Sequence, residues 1–269
     1  IMIFEDKQQS RVFGEVAETY HRYRPEYPSG LFEWILATCQ TLTTQLIIDV
    51  GCGTGKASAP LVGRGYEILG LEPDPAMAAI AERELQESGL FSIEQYTLND
   101  WAGTTRKADL VIAGQSWHWT NPETRFERVA AMLKPEGWLC VFWNRPEKRE
   151  QPFDSAIDPI YAELAPEFKN KPYPVRLPGS KAAISAETPA EEIRVSGLFG
   201  PVKEFEMAWE VEISTHEHIQ NLRTQSDHRM LPPSRLDNLL ARVAEQIDLA
   251  GGSYLQPFTT HAYAARLSV

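Results

Sequence analysis

The sequence predicts an α/β fold, with a mostly parallel seven-stranded sheet, helices on both faces, an antiparallel C-terminal strand and an extra helical cap. Three observations support this prediction. Short apolar runs alternate with helix-like patterns in the first half, a glycine-rich loop follows the first of these runs, and a late segment alternates apolar with charged residues. At 269 residues the chain fits one large domain.

The predicted core, residues 46–145, holds five strands and three helices. Each strand is a short apolar run that ends at turn residues, which is typical of a buried parallel strand. Helix boundaries come from Pro75 at a first helical turn and from Pro135 and Gly137 at the end of the third helix. The strands are predicted at 46–50, 66–71, 93–98, 110–113 and 138–143, and the helices at 56–64, 76–86 and 123–133.

Segments on both sides of this core complete the single predicted domain of residues 1–269. Residues 1–45 contain two helix-like stretches, 9–22 and 29–41, and form a predicted helical lid. The proline-rich stretch 146–200 and the helical stretch 215–252 form the predicted cap, with Thr188 as the N-cap of a helix that begins at Pro189. Residues 201–214 and 255–269 supply the final strands of the sheet.

Composition narrows the possible partners. Lys plus Arg number 26 and Asp plus Glu number 37, a net charge of −11 that repels phosphate backbones, so no nucleic-acid partner is expected. The start of the sequence lacks the pattern of a signal peptide, and no apolar run reaches the ~20 residues of a membrane helix. The three cysteines show no CxxC spacing. We expect a cytoplasmic protein with no membrane partner, and the sequence leaves its oligomeric state open.

The glycine loop is the most informative motif. It comprises Asp49-Val50-Gly51-Cys52-Gly53-Thr54-Gly55. Glycines at such a turn let a ligand approach the backbone N–H groups closely. A dinucleotide fingerprint needs a third glycine at position 56, which is Lys56, and there is no GxxxxGK[ST] phosphate loop. The pattern suits a ligand that ends in an ammonium and a ribose, although a glycine loop alone can also be a simple tight turn.

This loop resembles the first motif of the class I S-adenosylmethionine-dependent methyltransferases, within the type 11 small-molecule group that includes trans-aconitate methyltransferase-like members. The resemblance implies a Rossmann-like fold, S-adenosyl-L-methionine as cofactor and a small-molecule substrate. Asp49, Gly51, Gly53 and Gly55 match the motif, and Glu72 follows at the end of the second strand. A carboxylate at that place can accept hydrogen bonds from both ribose hydroxyls.

Further matches imply more cofactor contacts. Asp100 and Trp101 follow the third strand, where the family places residues around the adenine, and Met77 would pack on the ring face. Asp100 could instead be a turn or helix-cap acid, and Met77 could belong to the core. The segment Leu133-Lys134-Pro135-Glu136-Gly137 resembles the LKPGG turn of the family, with Glu136 in place of one glycine.

The N-terminal segment Tyr20-x-x-x-Arg24-Pro25-x-Tyr27-Pro28 matches a segment that lies over the cofactor in this group. Arg24 could pair with the cofactor carboxylate and Tyr20 could close over the cofactor. Alternatively, Arg24 is an exposed arginine at a helix end.

The acceptor is expected at the carboxyl end of the fourth strand, in the stretch Gly114-Gln115-Ser116-Trp117-His118-Trp119. Trp117 and Trp119 offer flat walls for a substrate. His118 is the candidate catalytic residue, as general base or orienting group, and Gln115 is assigned to the methionine end of the cofactor. The alternative is that His118 simply packs between the two tryptophans.

The sequence offers two alternative functions and one alternative kind of site. A protein that binds the cofactor without transferring its methyl group would carry the same binding motif, and a Rossmann NAD(P) oxidoreductase is disfavoured by Lys56. His216, His218 and His228 do not complete a metal site with an acid or a cysteine, so no metal is expected.

Overall fold

The computed structural model describes residues 17–40, 42, 45–103, 106–147, 149–168 and 188–268. The start of the predicted 9–22 helix and residues 169–187 of the proline-rich stretch lie outside the described residues.

A seven-stranded mixed sheet, of order β3-β2-β1-β4-β5-β7-β6, runs through the molecule. The pairs from β3 to β5 are parallel, whereas β7 is antiparallel to both β5 and β6. This architecture confirms the predicted fold class. The strands are β1 (Leu46–Val50), β2 (Glu67–Leu71), β3 (Phe91–Glu94), β4 (Ala108–Gly114), β5 (Leu133–Pro146), β6 (Lys203–Ser214) and β7 (Ser253–Arg266).

Helices flank this sheet and build the cap. They are α1 (Ala17–Tyr23), α2 (Ser29–Cys39), α3 (Ser58–Val62), α4 (Pro75–Leu85), α5 (Arg125–Met132), α6 (Asp154–Leu164), α7 (Pro189–Val195), α8 (Thr215–Arg223), α9 (Ser226–Arg229) and α10 (Pro233–Leu249). Asp74 caps α4 by accepting hydrogen bonds from the amides of Ala76 and Met77. Thr188 caps α7 by accepting from the Glu191 amide, as predicted.

Two apolar layers enclose the sheet because the central strands are buried on both faces. On one face Ile48 and Val111 pack with Phe126 of α5, and on the other Ile47 and Ile112 pack with α2 and α3. β1 and β4 pair in register, Ile48 opposite Val111 and Asp49 opposite Ile112, which brings together the loops that follow their carboxyl ends.

The cap has an apolar core of its own. Ile157 of α6, Leu222 of α8 and Val243 of α10 are buried together with Ile213, near the end of β6. β7 is longer than predicted, since it begins at Ser253 and not near residue 255 or 259. Pro257 lies just beyond the last β5 pairing, Pro146 with Phe258, where β6 is the only strand beside β7. The missing N–H of Pro257 therefore costs the sheet no bond to β5.

The third strand differs from its prediction. β3 covers Phe91–Glu94 and not 93–98, because pairing with β2 ends at Leu71 opposite Glu94. The chain then turns, and the amides of Asp100 and Trp101 donate to the Thr97 carbonyl.

Candidate cofactor and acceptor site

The glycine loop lies between β1 and α3, and its backbone conformation requires glycine. Gly51, Gly53 and Gly55 have φ values of +66°, +58° and +83°, in the left-handed region. A Cβ on Gly51 would lie 2.6 Å from the Cβ of Ser116, and one on Gly55 would lie 2.8 Å from a methyl of Leu85. The loop is thus both strained for other residues and closely packed against the end of β4.

Glu72 stands at the carboxyl end of β2, beside this loop. Its carboxylate accepts hydrogen bonds from the Gly53 amide at 2.9 Å and from the Asp74 amide at 2.8 Å. Burial raises the pKa of Glu72 to about 7, an effect that these two amides oppose. The two backbone bonds fix the orientation of the carboxylate next to Gly53, which is the position that the ribose interpretation requires.

Asp49, near the end of β1, is fully buried. One carboxylate oxygen accepts from the Ser58 hydroxyl at 2.7 Å, and the other, Oδ1, has no hydrogen-bond partner among the described residues. Thr54 Oγ1, in the loop that follows β1, is also buried and unpaired there. Burial raises the pKa of Asp49 to about 7.

Three features at these strand ends bear on whether the residues fit S-adenosylmethionine. They are loop glycines with little room for a Cβ, the fixed carboxylate of Glu72, and the unpaired buried oxygens of Asp49 and Thr54. Buried polar atoms are rarely left unpaired unless a ligand or water satisfies them. The donor and acceptor set therefore fits a ligand with hydroxyl and ammonium donors.

Tyr20 and Arg24 extend from α1 toward both the core and the cap. Tyr20 packs against Met77 and Ile80 of α4, and the Arg24 guanidinium lies 5.0 Å from the Tyr20 ring centroid. Arg24 also donates from Nε to the Thr224 hydroxyl at 3.1 Å. The Arg24 side chain is half-buried, and burial lowers its pKa to about 10.

Met77 is buried at 5% exposure, and its terminal methyl would lie 3.4 Å from a Cβ on Gly53. The structure thereby brings Met77 and the glycine loop together, while Met77 is also part of a small apolar cluster with Tyr20.

Asp100 and Trp101 are placed differently from each other. Asp100 is exposed and accepts a hydrogen bond from the Thr97 hydroxyl at 2.8 Å, the turn arrangement that the sequence left open as an alternative. Trp101 is 5% exposed and packs in the core, with its indole N–H donating to Glu94 at 2.7 Å.

Gln115 begins the acceptor edge, directly after β4. It adopts a left-handed conformation with φ of +57°, which is uncommon for a residue with a side chain. Its amide donates to the Phe142 carbonyl at 2.9 Å, and its side-chain Nε2 donates to the Asn144 carbonyl at 3.0 Å. Gln115 is thus held at the ends of β4 and β5, and the next residue, Ser116, donates to the Val50 carbonyl beside the glycine loop.

The three residues that follow form one 3₁₀ turn, and their side chains differ in exposure. Trp117 is 1% exposed and packs edge-to-face against Phe126, so the structure places it in the core and not on an acceptor wall. Trp119 is 40% exposed and remains the candidate wall. The His118 ring lies 4.7 Å from the Trp119 ring, between centroids. Burial, with a smaller effect from the charge of Arg125, lowers the pKa of His118 to about 4.

Two residues at this edge were missed from the sequence. Asn144, at the end of β5, donates to the Glu26 carbonyl at 3.0 Å and accepts from the Thr260 hydroxyl at 2.7 Å, which ties the segment after α1 to the sheet. Arg125 is buried in the first turn of α5. The sequence carries little signal for the burial of Arg125, because an arginine at a helix start usually predicts an exposed side chain.

Two histidines of the cap, His218 and His228, are buried, and both have hydrogen-bond partners. His218 is hydrogen-bonded to the Tyr254 hydroxyl at 2.6 Å, and His228 contacts the Tyr161 hydroxyl and Asp227, each at 2.9 Å. No cluster of metal-binding side chains occurs within the described part of the chain. None of the described helices is both long and apolar enough to span a membrane.

Comparison with known proteins agrees with this geometry. Residues 48–141 match the profile of a type 11 methyltransferase domain. An uncharacterized methyltransferase of Mycobacterium tuberculosis is 31% identical over 145 residues, which cover 53% of this chain and 56% of that protein. A probable S-adenosylmethionine-dependent methyltransferase of Saccharomyces cerevisiae is 30% identical over 146 residues, covering 53% and 50%. The chain thus spans about half the length of these relatives.

Solved structures share the fold over more of the chain. A methyltransferase described as a putative type II enzyme from Anaeromyxobacter dehalogenans has a TM-score of 0.60 at 18% identity, covering 91% of this chain and 98% of that one. Phosphoethanolamine N-methyltransferase 2 of Haemonchus contortus, in complex with S-adenosyl-L-methionine, has a TM-score of 0.55 at 14% identity, covering 99% and 59%. The (4+2)-cyclase SpnF has a TM-score of 0.56 at 16% identity, covering 98% and 96%. Residues 48–141 therefore resemble a methyltransferase domain, and the chain shares its fold with these solved structures.

Proposed function

We propose that the protein transfers a methyl group from S-adenosyl-L-methionine to a small-molecule acceptor held at the end of β4. The observation that carries the proposal is the Glu72 carboxylate, which the Gly53 and Asp74 amides fix beside the glycine loop. In this loop a Cβ on Gly51 or Gly55 would come too close to its neighbours. When bound, the cofactor supplies a methyl group already activated on a sulfonium.

The chain itself would hold the cofactor through three groups of residues. The first is the loop with Asp49, Gly51, Gly53 and Gly55, and the second is Glu72, toward the ribose hydroxyls. The third group contacts the two ends of the cofactor: Tyr20, Arg24 and Gln115 toward the methionine part, and Met77, Asp100 and Trp101 toward the adenine.

Catalysis by this chain would rest mainly on alignment of the acceptor. Holding two reactants in attack geometry is worth an effective molarity of about 10⁵ to 10⁸ M. Trp119 would form one wall, and the lid made by α1 would keep water away from the glycine loop. The in-line displacement needs a base only if the acceptor must lose a proton.

His118 suits an orienting role better than that of a strong base. A pKa of about 4 leaves the imidazole neutral at physiological pH, so it can accept a hydrogen bond from an acceptor O–H or N–H. The same low pKa gives little driving force for full proton removal. We therefore propose that His118 orients the acceptor and takes its proton only as that proton becomes acidic during attack.

A small acceptor is favoured by charge. The chain carries a net charge of −11, which opposes the binding of a phosphate backbone. The dinucleotide alternative is opposed by Lys56, which occupies the third-glycine position and forms a 2.6 Å ion pair with Glu26.

A second candidate function remains, in which the cofactor is bound but its methyl group is not transferred. A structural neighbour described as a (4+2)-cyclase has the same fold, so the fold alone does not determine the chemistry. Formation of S-adenosylhomocysteine with any acceptor separates the two functions.

The first experiment is calorimetric titration of the purified protein with S-adenosylmethionine, S-adenosylhomocysteine and NADH. We expect micromolar binding of the first two and none of NADH. Binding of NADH alone would overturn the proposal in favour of an oxidoreductase. If S-adenosylmethionine binds as expected, formation of S-adenosylhomocysteine in an acceptor screen would establish methyl transfer.

A further inference from the structure

A buried cation lies against the turn that carries His118. Arg125, in the first turn of α5, is 6% exposed. Its guanidinium stacks over Trp117, 5.0 Å from the ring centroid, and over Phe126, 5.4 Å from the centroid. Nη2 pairs with Glu192 of α7 at 2.7 Å. A charge held this far from water carries a desolvation cost, so its retention calls for a reason.

The contacts of Arg125 fix the position of the turn. Nη1 donates to the Trp117 carbonyl at 3.3 Å, and the guanidinium also stacks on the Trp117 indole. Arg125 therefore holds both the backbone and the side chain of Trp117 against α5. The turn itself contributes local bonds, including the Trp119 amide to the Ser116 carbonyl at 2.9 Å. Local bonds hold the shape of the turn, whereas Arg125 attaches that shape to α5 and, through Glu192, to α7.

Arg125 also sets the electrostatic surroundings of His118. Within the described residues it is the charged group that acts on the His118 imidazole in addition to burial, and it disfavours a second positive charge there. Glu192 faces Arg125 from α7 and partly neutralises it. The Trp119 ring, which packs against His118, is uncharged.

We propose that Arg125 is the positioning residue of the acceptor edge: it attaches the Trp117–Trp119 turn to α5 and keeps a fixed positive charge beside His118. This inference rests on the proposed function for its effect on turnover, because His118 and Trp119 are the residues that would meet the acceptor. Its structural and electrostatic parts stand without any acceptor.

A purely structural role would be served as well by an apolar residue. Replacing buried ion pairs with apolar side chains of similar size is often neutral or stabilising. Arg125→Met combined with Glu192→Gln therefore leaves a folded protein without the cation. Arg125→Lys keeps a charge but loses the planar fork that stacks and bonds at once. Arg194→Met removes an exposed positive charge of α7 that pairs with Glu191 and not with Glu192, and it is the matched control.

The test is titration of histidine side chains by NMR in the free protein, with the His118 signal assigned from His118→Asn. We expect the titration midpoint of His118 to rise by about one unit in Arg125→Met/Glu192→Gln, because a nearby like charge has been removed. It should stay unchanged in Arg194→Met. Glu192→Gln alone should not raise it, since that change leaves Arg125 uncompensated.

An unchanged midpoint in the double variant, or a rise in Glu192→Gln alone, would overturn the proposal. If the double variant does not fold, Glu192→Gln alone still decides the proposal: with Arg125 uncompensated the His118 midpoint should fall, and an unchanged midpoint would overturn the proposal. Once an acceptor is known, kcat should fall about tenfold in Arg125→Met/Glu192→Gln, with partial recovery in Arg125→Lys and unchanged binding of S-adenosylhomocysteine. Absence of turnover in the wild type would count against the proposed function and leave the NMR result independent.

Discussion

The glycine-loop edge of the sheet and the interior of the cap both bury polar side chains, but they treat them differently. At the loop, Asp49 Oδ1 and Thr54 Oγ1 have no partner among the described residues. In the cap, His218 and His228 are each hydrogen-bonded to a tyrosine hydroxyl. Buried polar groups in a scaffold are usually paired, so the two unpaired atoms at the loop support the cofactor site proposed there.

The boundary between the two regions supports the same interpretation. The cap atoms that are unpaired within the described residues include Asn221 Oδ1 and Gln225 Nε2, at the part of the cap that meets α1. Neighbouring Thr224 accepts a hydrogen bond from Arg24, beside Tyr20. The side of the cap that meets α1 thus leaves buried polar atoms unpaired, as the loop edge does.

The largest effect on cofactor binding and on stability is expected from a substitution at Gly51. Gly51→Ala places a Cβ 2.6 Å from the Ser116 Cβ in a left-handed conformation, so it should abolish cofactor binding and lower the free energy of unfolding by about 2–4 kcal/mol. Gly89→Ala is the control, since Gly89 has φ of +67° and open space around it, and it should cost only about 1–2 kcal/mol. Urea denaturation and calorimetry measure both. Equal losses in the two variants would show that close packing at the loop is unimportant.

Glu72 should govern affinity for the cofactor. Glu72→Ala should weaken S-adenosylhomocysteine binding by about 10- to 100-fold, because charge-assisted bonds to hydroxyls are worth about 1.5–3 kcal/mol. Glu67→Ala, an exposed position on the same strand, should leave the dissociation constant unchanged. If the two variants bind equally, the ribose assignment is wrong.

The pH dependence of Glu72 sharpens this test. Its pKa is raised from 4.5 to about 7, so between these values the folded protein retains a proton that the unfolded chain releases. Its contribution to stability is therefore largest below pH 4.5 and is lost as the pH rises to about 7. Affinity should change in the opposite direction and strengthen as the carboxyl ionises. Calorimetry at several pH values should show this trend in the wild type and a weaker pH dependence in Glu72→Gln, in which Asp49, with a pKa also raised to about 7, still ionises.

His118 should affect turnover without affecting binding. His118→Ala should lower kcat about tenfold, below the 10²–10⁴-fold that a positioned acid or base typically contributes, and leave S-adenosylhomocysteine affinity within about twofold. His118→Asn keeps a hydrogen-bonding side chain and should recover part of the loss if His118 orients the acceptor. Equal loss in both variants would favour a base, and full turnover in His118→Ala would remove the residue from the mechanism.

The smallest effect on the cofactor is expected from the cap interior. His228→Leu breaks the contacts with Tyr161 and Asp227 and should lower the free energy of unfolding by about 2 kcal/mol, while the cofactor dissociation constant changes by less than about twofold. His261→Leu, on the partly exposed face of β7, serves as control for stability. A large loss of affinity in His228→Leu would contradict the distinction between scaffold and ligand edge.

Much of the fold and the cofactor edge was predictable because its signals are local. An apolar run that ends in Gly51-Cys52-Gly53 is typical of a buried strand followed by a tight turn, and Glu72 follows at the end of the next such run. The acceptor edge was less predictable. Trp117, His118 and Trp119 are adjacent in sequence, but one turn of 3₁₀ helix directs their side chains to the core, to the half-buried edge and to solvent in that order.

The sequence by itself determined the α/β architecture, the identity of the glycine loop and the strand ends at which Asp49, Glu72 and Gln115 stand, because periodicity and backbone sterics act over a few residues. Only the tertiary structure decided that Trp117 belongs to the core, that Arg125 is buried against it, and that Arg24 joins α1 to the cap through Thr224. Burial and charge pairing depend on segments distant in the chain, and these contacts carry no local signal.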